Sequence, residues 1–238
     1  MRIVTYNVSG GLDPGAAGSV LAELAPQVAC LLEAPGGSRL RSLARAAGLE
    51  VVVRSGRRGT GAAVLAHPDV RVRASSRVRL TTPKEVPDRG AAHAIVSVDG
   101  LGLSVTAAQL GLRPDVRQTN LDERVTFLRS VDVPTILGCD LNESMRSPVA
   151  AALAEMYQDA HAVVGTGSGA TYPTSDPSSR QDFVFVDRQL HVVASHVPDG
   201  GTVDVASHHR PVVADVTAGP GTEGSAEAVT DEIPMRDA

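Results

Sequence analysis

Polar side chains that can bind cations or transfer protons stand directly beside apolar runs at several points in the sequence. They belong to Asn7, Glu33, Asp140, Asn142, Asp182 and the run Ser207-His208-His209. A polar group at the end of a buried strand is held rigidly at the rim of its sheet, where sites are commonly built. If these strand ends meet, their carboxylates, amides and imidazoles have the chemistry to hold a divalent cation and to move a proton.

Each of these residues also has a structural explanation when it is taken singly. Asn7 or Asp140 could begin a turn, Glu33 could be solvated, and Asp182 could pair with Arg180. The recurrence of such polar endings through one chain favours a shared site over a series of unrelated surface features.

The apolar runs are mostly short and predict many strands with a few helices between them. The predicted strands are 2–6, 28–32, 49–54, 61–66, 70–75, 93–98, 101–106, 135–137, 183–186, 191–197 and 212–216. The predicted helices are 16–24, 39–47, 114–129 and 147–156. Asp99-Gly100, between two of the strands, is a strong hairpin signal. This pattern favours an α/β (α+β) fold of two packed sheets with outer helices.

The charge distribution divides the chain into two parts. We predict one domain over residues 1–217 and an acidic, disordered, Gly- and Pro-rich tail over residues 218–238. The tail has five Asp or Glu and one Arg, so it contributes −4 of the net charge of −5 and leaves −1 for the domain. With 3% aromatic residues and no Trp, such a domain lacks the basic excess and the stacking side chains of a long nucleic-acid binder. We therefore expect a small-molecule substrate.

Other features bear on location and redox state. No window is apolar enough to span a membrane, and the N-terminus MRIVTYNVSGG resembles a strand and not a secretory signal. We therefore expect no membrane span and a cytoplasmic location. Cys30 and Cys139 each end an apolar run, so we expect buried, reduced thiols. The oligomeric state is left open.

The order and flanks of the polar endings resemble the endonuclease/exonuclease/phosphatase (deoxyribonuclease I-like) family. RIVTYNVSGG is similar to the family's opening strand with its Asn, CLLEAPG to its LQE segment, LGCDLNE to GDFN, SSRQDFVFV to RIDYIF, and SHHRPVVADV to SDHRPV. GTGAAVLAH, DRGAAHAIV and TYP at Thr171–Pro173 also fit the family's pattern. The resemblance spans residues 1–217. It implies a four-layered α/β/β/α sandwich, two packed mixed β-sheets with outer helices, and a site at one end of the sheets.

The same resemblance implies roles in the hydrolysis of a phosphate ester. Glu33, aided by Asn7, is the expected ligand of Mg²⁺ or Mn²⁺, a type of cation that suits carboxylates and open water positions. Asp140 is expected to orient or deprotonate the attacking water. His209 is expected to act as general base or to contact phosphate, and Asp182 to complete the acidic cluster.

Substrate binding is implied for three residues, and two positions depart from the family pattern. Asn142 is expected to hydrogen-bond a phosphoryl oxygen and Arg89 to lie near the phosphate. If Arg89 faces the site, strand alternation places His93 on the same face. Gln109 stands where the family has a phosphate-contacting His, and His208 where it has an Asp that orients the last His. Neither can supply the missing charge, so both are candidates for altered catalysis.

Three alternative functions are compatible with these residues. The first is a divalent-metal-dependent phosphoesterase-like hydrolase that acts on a small phosphorylated or phosphodiester substrate. The second is a biosynthetic enzyme that uses the same fold for acid–base chemistry on a small non-phosphate molecule, with Gln109 and His208 replacing the usual His and Asp. The third, a non-catalytic binding protein, is the least favoured because most polar residues of the predicted site are retained.

Overall fold

Short apolar segments of the chain form strands that pair into two sheets. The structure is a computed structural model that describes residues 1–56, 60–79, 81, 83, 85, 89–129, 133–220 and 222, with the backbone alone for 124–129. Within these residues the strands are β1 (Arg2–Asn7), β2 (Val28–Ala34), β3 (Glu50–Ser55), β4 (Gly61–Ala66), β5 (Arg71–Arg79), β6 (Gly90–Val98), β7 (Leu101–Gln109), β8 (Thr135–Asp140), β9 (Tyr157–Asp159), β10 (Asp182–Asp187), β11 (Leu190–His196) and β12 (Val212–Ala218). The helices are α1 (Pro14–Leu24), α2 (Gly37–Ala46), α3 (Pro114–Arg129), α4 (Pro148–Met156), α5 (Ala160–Val164) and α6 (Val203–Ala206).

Both sheets are mixed. The first has the strand order β11-β12-β1-β2-β4-β3 and the second has the order β5-β6-β7-β8-β10-β9. The pairs β1–β2 and β7–β8 are parallel, and the other described pairs are antiparallel. Strands β7 and β8 are buried along their whole length, because the other sheet covers one face of each and helices cover the other.

Three apolar clusters separate four layers. The inner faces of the two sheets pack against each other through residues such as Leu32, Val105 and Val184. The outer face of the first sheet packs on α1, α2 and α6, and the outer face of the second packs on α3 and α4. The predicted α/β/β/α sandwich is therefore confirmed.

Local signals account for several element boundaries. Asp13 caps α1 by accepting hydrogen bonds from the backbone N–H groups of Gly15 and Ala16. Ser147 caps α4 in the same way, at 3.1 Å from the Ala150 nitrogen. The hairpin predicted at Asp99-Gly100 is confirmed, because both residues have positive φ and β6 pairs with β7 on either side of them.

Three short elements of the structure were not predicted from the sequence. Strand β9 has three residues, α5 has five and α6 has four, which is too short for a periodic signal. Each depends on tertiary contacts; β9, for example, is held by its pairing with β10. The predicted tail begins at Ala218, which the structure places as the last residue of β12, and residues 223–238 lie outside the described residues.

Two further expectations concern the two cysteines and the lack of a membrane-spanning segment. Cys30 and Cys139 are both buried and form no disulfide in the part of the chain that the structure describes, and burial raises the pKa of the Cys30 thiol to about 12. Among the described residues, no helix combines the length and apolar character needed to cross a membrane.

Candidate active site

The polar residues at the strand ends meet because they lie on the inner faces of the sheets. Asn7, Gln109, Asp140 and Asp182 each lie an even number of positions from inter-sheet core residues of the same strand, so they share the inner face with them. In the second sheet, Asp140 pairs in register with Gln109 on one side and with Asp182 on the other. Asn7 ends a strand of the facing sheet, and its Nδ2 lies 3.0 Å from Oδ2 of Asp140.

Asp140 is the centre of this hydrogen-bond network. Its Oδ2 accepts from Asn7 and from Nε2 of Gln109 at 2.9 Å, and its Oδ1 accepts from the backbone N–H of Asn142 at 2.8 Å. Burial, followed by the negative charge of Asp182, raises the pKa of Asp140 to about 6. Its carboxylate is therefore able to exchange a proton near neutral pH.

His209 and Asp182 form a buried pair beside Asp140. Nδ1 of His209 lies 2.7 Å from Oδ2 of Asp182, which also accepts a hydrogen bond from Thr171 Oγ1 at 2.6 Å. Burial lowers the pKa of His209, but the charges of Asp182, Asp140 and Glu33 and the hydrogen bond to Asp182 outweigh it and raise that pKa to about 9. In the protein without a bound cation, the imidazole is therefore protonated at neutral pH.

The loop before β10 carries two residues, Thr171 and Tyr172, that contact the buried pair of His209 and Asp182. Thr171 holds Asp182, and the ring of Tyr172 lies 4.8 Å from that of His209. The backbone N–H of Arg210 donates to the Thr171 carbonyl, which ties this loop to the segment that carries His209. The TYP motif was the available signal, but it indicated no particular contact.

Two serines hold the segments that carry Asn7 and His209. Ser207 Oγ donates to the Asn7 carbonyl at 2.6 Å and lies 2.9 Å from Ser9 Oγ. The backbone N–H of Ser9 donates to Asn7 Oδ1, which orients that amide so that its Nδ2 faces Asp140. Ser9 was not predicted to belong to the site, and Ser207 was named only as part of the run that ends at His209, because a serine beside a turn carries no chemical signal of its own.

Glu33 reaches the cluster through a bulge. Between Leu32 and Ala34 the register with β4 shifts, and Glu33 has a φ of 50°. An uninterrupted strand would direct Glu33 to the helix-facing side with Leu31, so the bulge changes the direction of its side chain. Its Oε1 then accepts a hydrogen bond from Gln109 Nε2 at 2.9 Å.

Gln109 is bound at both ends of its amide. Its Nε2 donates to Glu33 and to Asp140, and its Oε1 accepts from the Arg89 guanidinium. Arg89 is 6% exposed, and burial lowers its pKa, partly offset by the charges of Glu33 and Asp140. Its Nε is buried and has no hydrogen-bond partner among the described residues. A buried guanidinium with an unused donor suits an anionic ligand.

Asn142 lies in a tight turn immediately after β8. It has a φ of 52°, and its Nδ2 donates to the Leu110 carbonyl at 2.9 Å. This bond links the turn after β8 to the chain just beyond β7. The side chain is half-buried beside Asp140, with a second hydrogen on the same nitrogen.

His93 and His208 are not brought into this cluster. Arg89 precedes β6, which begins at Gly90, so strand alternation does not relate Arg89 to His93 as predicted. His93 lies on the outer face of its sheet, fully buried, with Nδ1 3.1 Å from Thr106 Oγ1, and burial lowers its pKa to about 4. His208 is exposed, and its described contacts are those of its backbone with Ser9 and Thr174.

The cluster has the donor set of a divalent-cation site. One ligand atom each from Asp140, Asp182 and His209 lie within 4.8 Å of one another. Oδ1 of Asp182 is buried without a hydrogen-bond partner among the described residues, which is costly for a carboxylate unless a cation or water satisfies it. Glu33 adds a further carboxylate next to Asp140. Oxygen ligands of this kind fit Mg²⁺ or Mn²⁺.

The sequence model of the Endonuclease/Exonuclease/phosphatase family matches residues 4–222. No curated protein matches the chain.

Several solved structures have a similar fold and a low sequence identity to this chain. A functionally unknown conserved protein from Enterococcus faecalis V583 has a TM-score of 0.82 at 17% identity, covering 92% of this chain and 100% of that chain. The Bacteroides thetaiotaomicron VPI-5482 mannosyl-6-phosphatase Bt3783 has a TM-score of 0.78 at 16% identity, covering 91% and 99%. The human Nocturnin catalytic domain with bound sulfate anion has a TM-score of 0.72 at 14% identity, covering 92% and 93%. At such low sequence identities, the structural similarity establishes the fold alone.

Proposed function

The chain belongs to the endonuclease/exonuclease/phosphatase family, and we propose that it is a divalent-metal-dependent phosphoesterase-like hydrolase that acts on a small phosphorylated or phosphodiester substrate. The observation that carries the proposal is the convergence of the carboxylates of Asp140, Asp182 and Glu33 with His209 and a buried Arg89. Hydrolysis of a phosphate ester requires carboxylates, a ring that can carry a proton, and a positively charged side chain that binds the phosphate.

The anionic end of the substrate is assigned to Arg89 and Asn142. Arg89 has a buried Nε–H without a partner among the described residues, and it can donate to a phosphoryl oxygen. Asn142 uses one Nδ2 hydrogen for the Leu110 carbonyl and can offer the other to the same group. Arg89 lies next to Gln109, and Asn142 lies next to Asp140, so a phosphate that both of them bind would lie beside the acidic cluster.

Proton transfer is assigned to Asp140 and His209. Asp140 has a pKa raised to about 6, so its carboxylate can orient an attacking water and accept its proton. His209 directs Nδ1–H at Asp182, which leaves Nε2 for the reacting groups. As a cation, His209 contacts a phosphoryl oxygen or gives its proton to the leaving oxygen. After that step it can take a proton back from water.

The metal ligands we propose are Glu33 and Asn7, and Oδ2 of Asp140, which contacts Asn7 and the same Gln109 nitrogen as Glu33, would share the cation. A bound Mg²⁺ or Mn²⁺ would neutralise charge on the phosphoryl oxygens and lower the pKa of water. The residues of the chain orient the substrate against that charge, exclude bulk water and hold the transferred proton.

Three further observations support a small substrate. Asp140 and Asp182 are fully buried and His209 is 7% exposed, so the reacting groups lie below the surface. One structure of the same fold is named a mannosyl-6-phosphatase, and another contains a sulfate anion. The near-neutral charge of residues 1–217 also argues against long nucleic acid as the substrate.

A second candidate keeps the site and changes the reaction. The amide of Gln109 already engages both Glu33 Oε1 and Asp140 Oδ2, the oxygens that a shared cation would use. If Gln109 stays in place during catalysis, the pair of Asp140 and His209 could perform acid–base chemistry on a small non-phosphate molecule. Such a reaction would be independent of added metal.

Hydrolysis of 4-nitrophenyl phosphate and bis(4-nitrophenyl) phosphate tests the first proposal. We expect release of nitrophenolate that depends on Mg²⁺ or Mn²⁺, is lost in Glu33→Gln, and is retained in the control Glu50→Gln, where Glu50 is an exposed residue at the start of β3. Equal rates in the wild type and Glu33→Gln with each metal would contradict the proposal.

A further inference from the structure

Gln109 connects two parts of the site that bind ligands of opposite charge. Its Oε1 accepts from the Arg89 guanidinium, while its Nε2 lies 2.9 Å from Glu33 Oε1 and 2.9 Å from Asp140 Oδ2. Gln109 is 3% exposed, so these contacts are shielded from competing water. One neutral side chain thus joins the proposed anion site to the proposed cation site.

The orientation of this amide is determined by its partners. A guanidinium only donates and carboxylates accept, so the amide oxygen must face Arg89 and the amide nitrogen must face Glu33 and Asp140. The reverse orientation would place donors against donors and acceptors against acceptors at all three contacts. A shorter side chain could not reach both ends, and a histidine could not present an oxygen to Arg89.

The amide nitrogen occupies the space between two carboxylates without adding charge. Its two N–H groups offset part of the repulsion between Glu33 and Asp140 in the protein without a cation. A cation that binds both Oε1 of Glu33 and Oδ2 of Asp140 must compete with these two hydrogen bonds. The amide therefore stabilises the cation-free site and weakens the binding of a cation.

We propose that Gln109 is a positioning residue that couples anion binding at Arg89 to cation binding at Glu33 and Asp140. An anion that draws the guanidinium away from Gln109 Oε1 removes the hydrogen bond that fixes the oxygen end of the amide. The amide is then free to leave the carboxylates, and the cation binds more tightly. By linkage, a bound cation strengthens anion binding by the same factor.

This inference rests on the proposed cation and anion sites, and binding measurements test it without turnover. Mn²⁺ and sulfate serve as probes in isothermal titration calorimetry. Gln109→Met keeps the volume and removes both the donors and the acceptor, and Gln109→Ala is a second variant in case the first does not fold. Gln118→Met on the exposed face of α3 is the matched control.

Three results are expected. Without sulfate, Gln109→Met binds Mn²⁺ about tenfold more tightly than the wild type, the effect of about one lost charge-assisted hydrogen bond. Sulfate tightens Mn²⁺ binding in the wild type. In the variant, the factor by which sulfate tightens Mn²⁺ binding is smaller by roughly threefold or more, because only the direct attraction between the two ions is left. In EDTA, the variant unfolds at a lower temperature than the wild type. Gln118→Met matches the wild type in all three measurements.

Unchanged or weaker Mn²⁺ binding in both Gln109 variants overturns the inference, as does an undiminished effect of sulfate. These outcomes are separable from the failure of the proposed function. If the wild type hydrolyses the nitrophenyl esters with Mn²⁺ but Gln109→Met binds the ion no better, the inference alone fails. If Gln109→Met shows the tighter binding and no form of the protein hydrolyses an ester, the proposed function alone fails.

Discussion

Oδ2 of Asp182 lies 2.7 Å from Nδ1 of His209, and neither residue is appreciably exposed to solvent. The contact joins the start of β10 to a loop that follows α6, so it depends on residues 27 positions apart in sequence. Because a carboxylate accepts the Nδ1 proton, the tautomer and the orientation of the imidazole are both set by this contact. The chemistry that we propose for His209 therefore depends on Asp182.

The substitution Asp182→Asn tests that dependence. The amide keeps the shape of the carboxylate but loses its charge, so the pKa of His209 should fall and Nδ1 should no longer be held as a donor. We expect kcat/KM for 4-nitrophenyl phosphate to fall roughly a hundredfold to a thousandfold, as for other lost acid–base partners. Steady-state kinetics and an NMR titration of the His209 ring measure the two effects. Asp187→Asn, at the far end of β10, should change neither.

The stability of the protein without metal should depend on pH through His209. The pKa of His209 is raised from 6.5 to about 9 in the folded protein, so its contribution is fully present below pH 6.5 and is lost as pH rises through 9. We expect the free energy of unfolding to fall over this interval by up to about 3 kcal/mol relative to His209→Asn. Urea denaturation in EDTA at several pH values provides the measurement. Parallel pH profiles for the two proteins would show that His209 has no raised pKa.

Thr171 should contribute to both stability and activity. Its Oγ1 donates to Asp182 at 2.6 Å in a fully buried environment. Thr171→Val keeps the volume and leaves Asp182 with one donor fewer, which should cost about 1–3 kcal/mol of unfolding free energy. We expect kcat to fall roughly tenfold, since Asp182 is then held less firmly against His209. The exposed Thr217 provides a control, and Thr217→Val should resemble the wild type in both assays.

Arg89 should affect substrate binding more than folding. Arg89→Met removes the buried guanidinium and retains its apolar stem, so we expect KM for 4-nitrophenyl phosphate to rise and inhibition by sulfate to be lost. A decrease in kcat/KM of roughly a hundredfold corresponds to about 3 kcal/mol, in the range of a buried charge-assisted contact. Arg188→Met, at an exposed position, is the control. Undiminished inhibition by sulfate in Arg89→Met would argue against an anion site at this residue.

His93 should affect stability without affecting activity. It is fully buried on the outer face of its sheet and contacts Thr106. His93→Ala leaves a cavity that should cost about 2–4 kcal/mol of unfolding free energy. We expect kcat/KM to stay within about twofold of the wild type at a temperature where the variant is folded. A large loss of kcat/KM in a folded variant would place His93 at the site after all.

The sequence was sufficient to predict the fold and most members of the polar cluster. Asn7, Asp140 and Asp182 stand at the ends of their strands in the same two-residue period as the inward-facing apolar residues, and that periodicity is a local property that can be read from neighbouring residues. The same rule misled for His93, because Arg89 lies before β6 and not within it. Whether a residue is the first of a strand or precedes it depends on pairing with a neighbour that is distant in sequence.

The sequence by itself determined which side chains were available and at which strand ends they would stand. Only the tertiary structure decided what each of them contacts. The bulge that turns Glu33 inward and the pairing of Gln109 with Asp140 depend on which strands become neighbours. So does the bridging amide of Gln109, whose three partners come from elsewhere in the chain. Long-range contacts of this kind have no local periodicity, so no pattern in neighbouring residues could specify them.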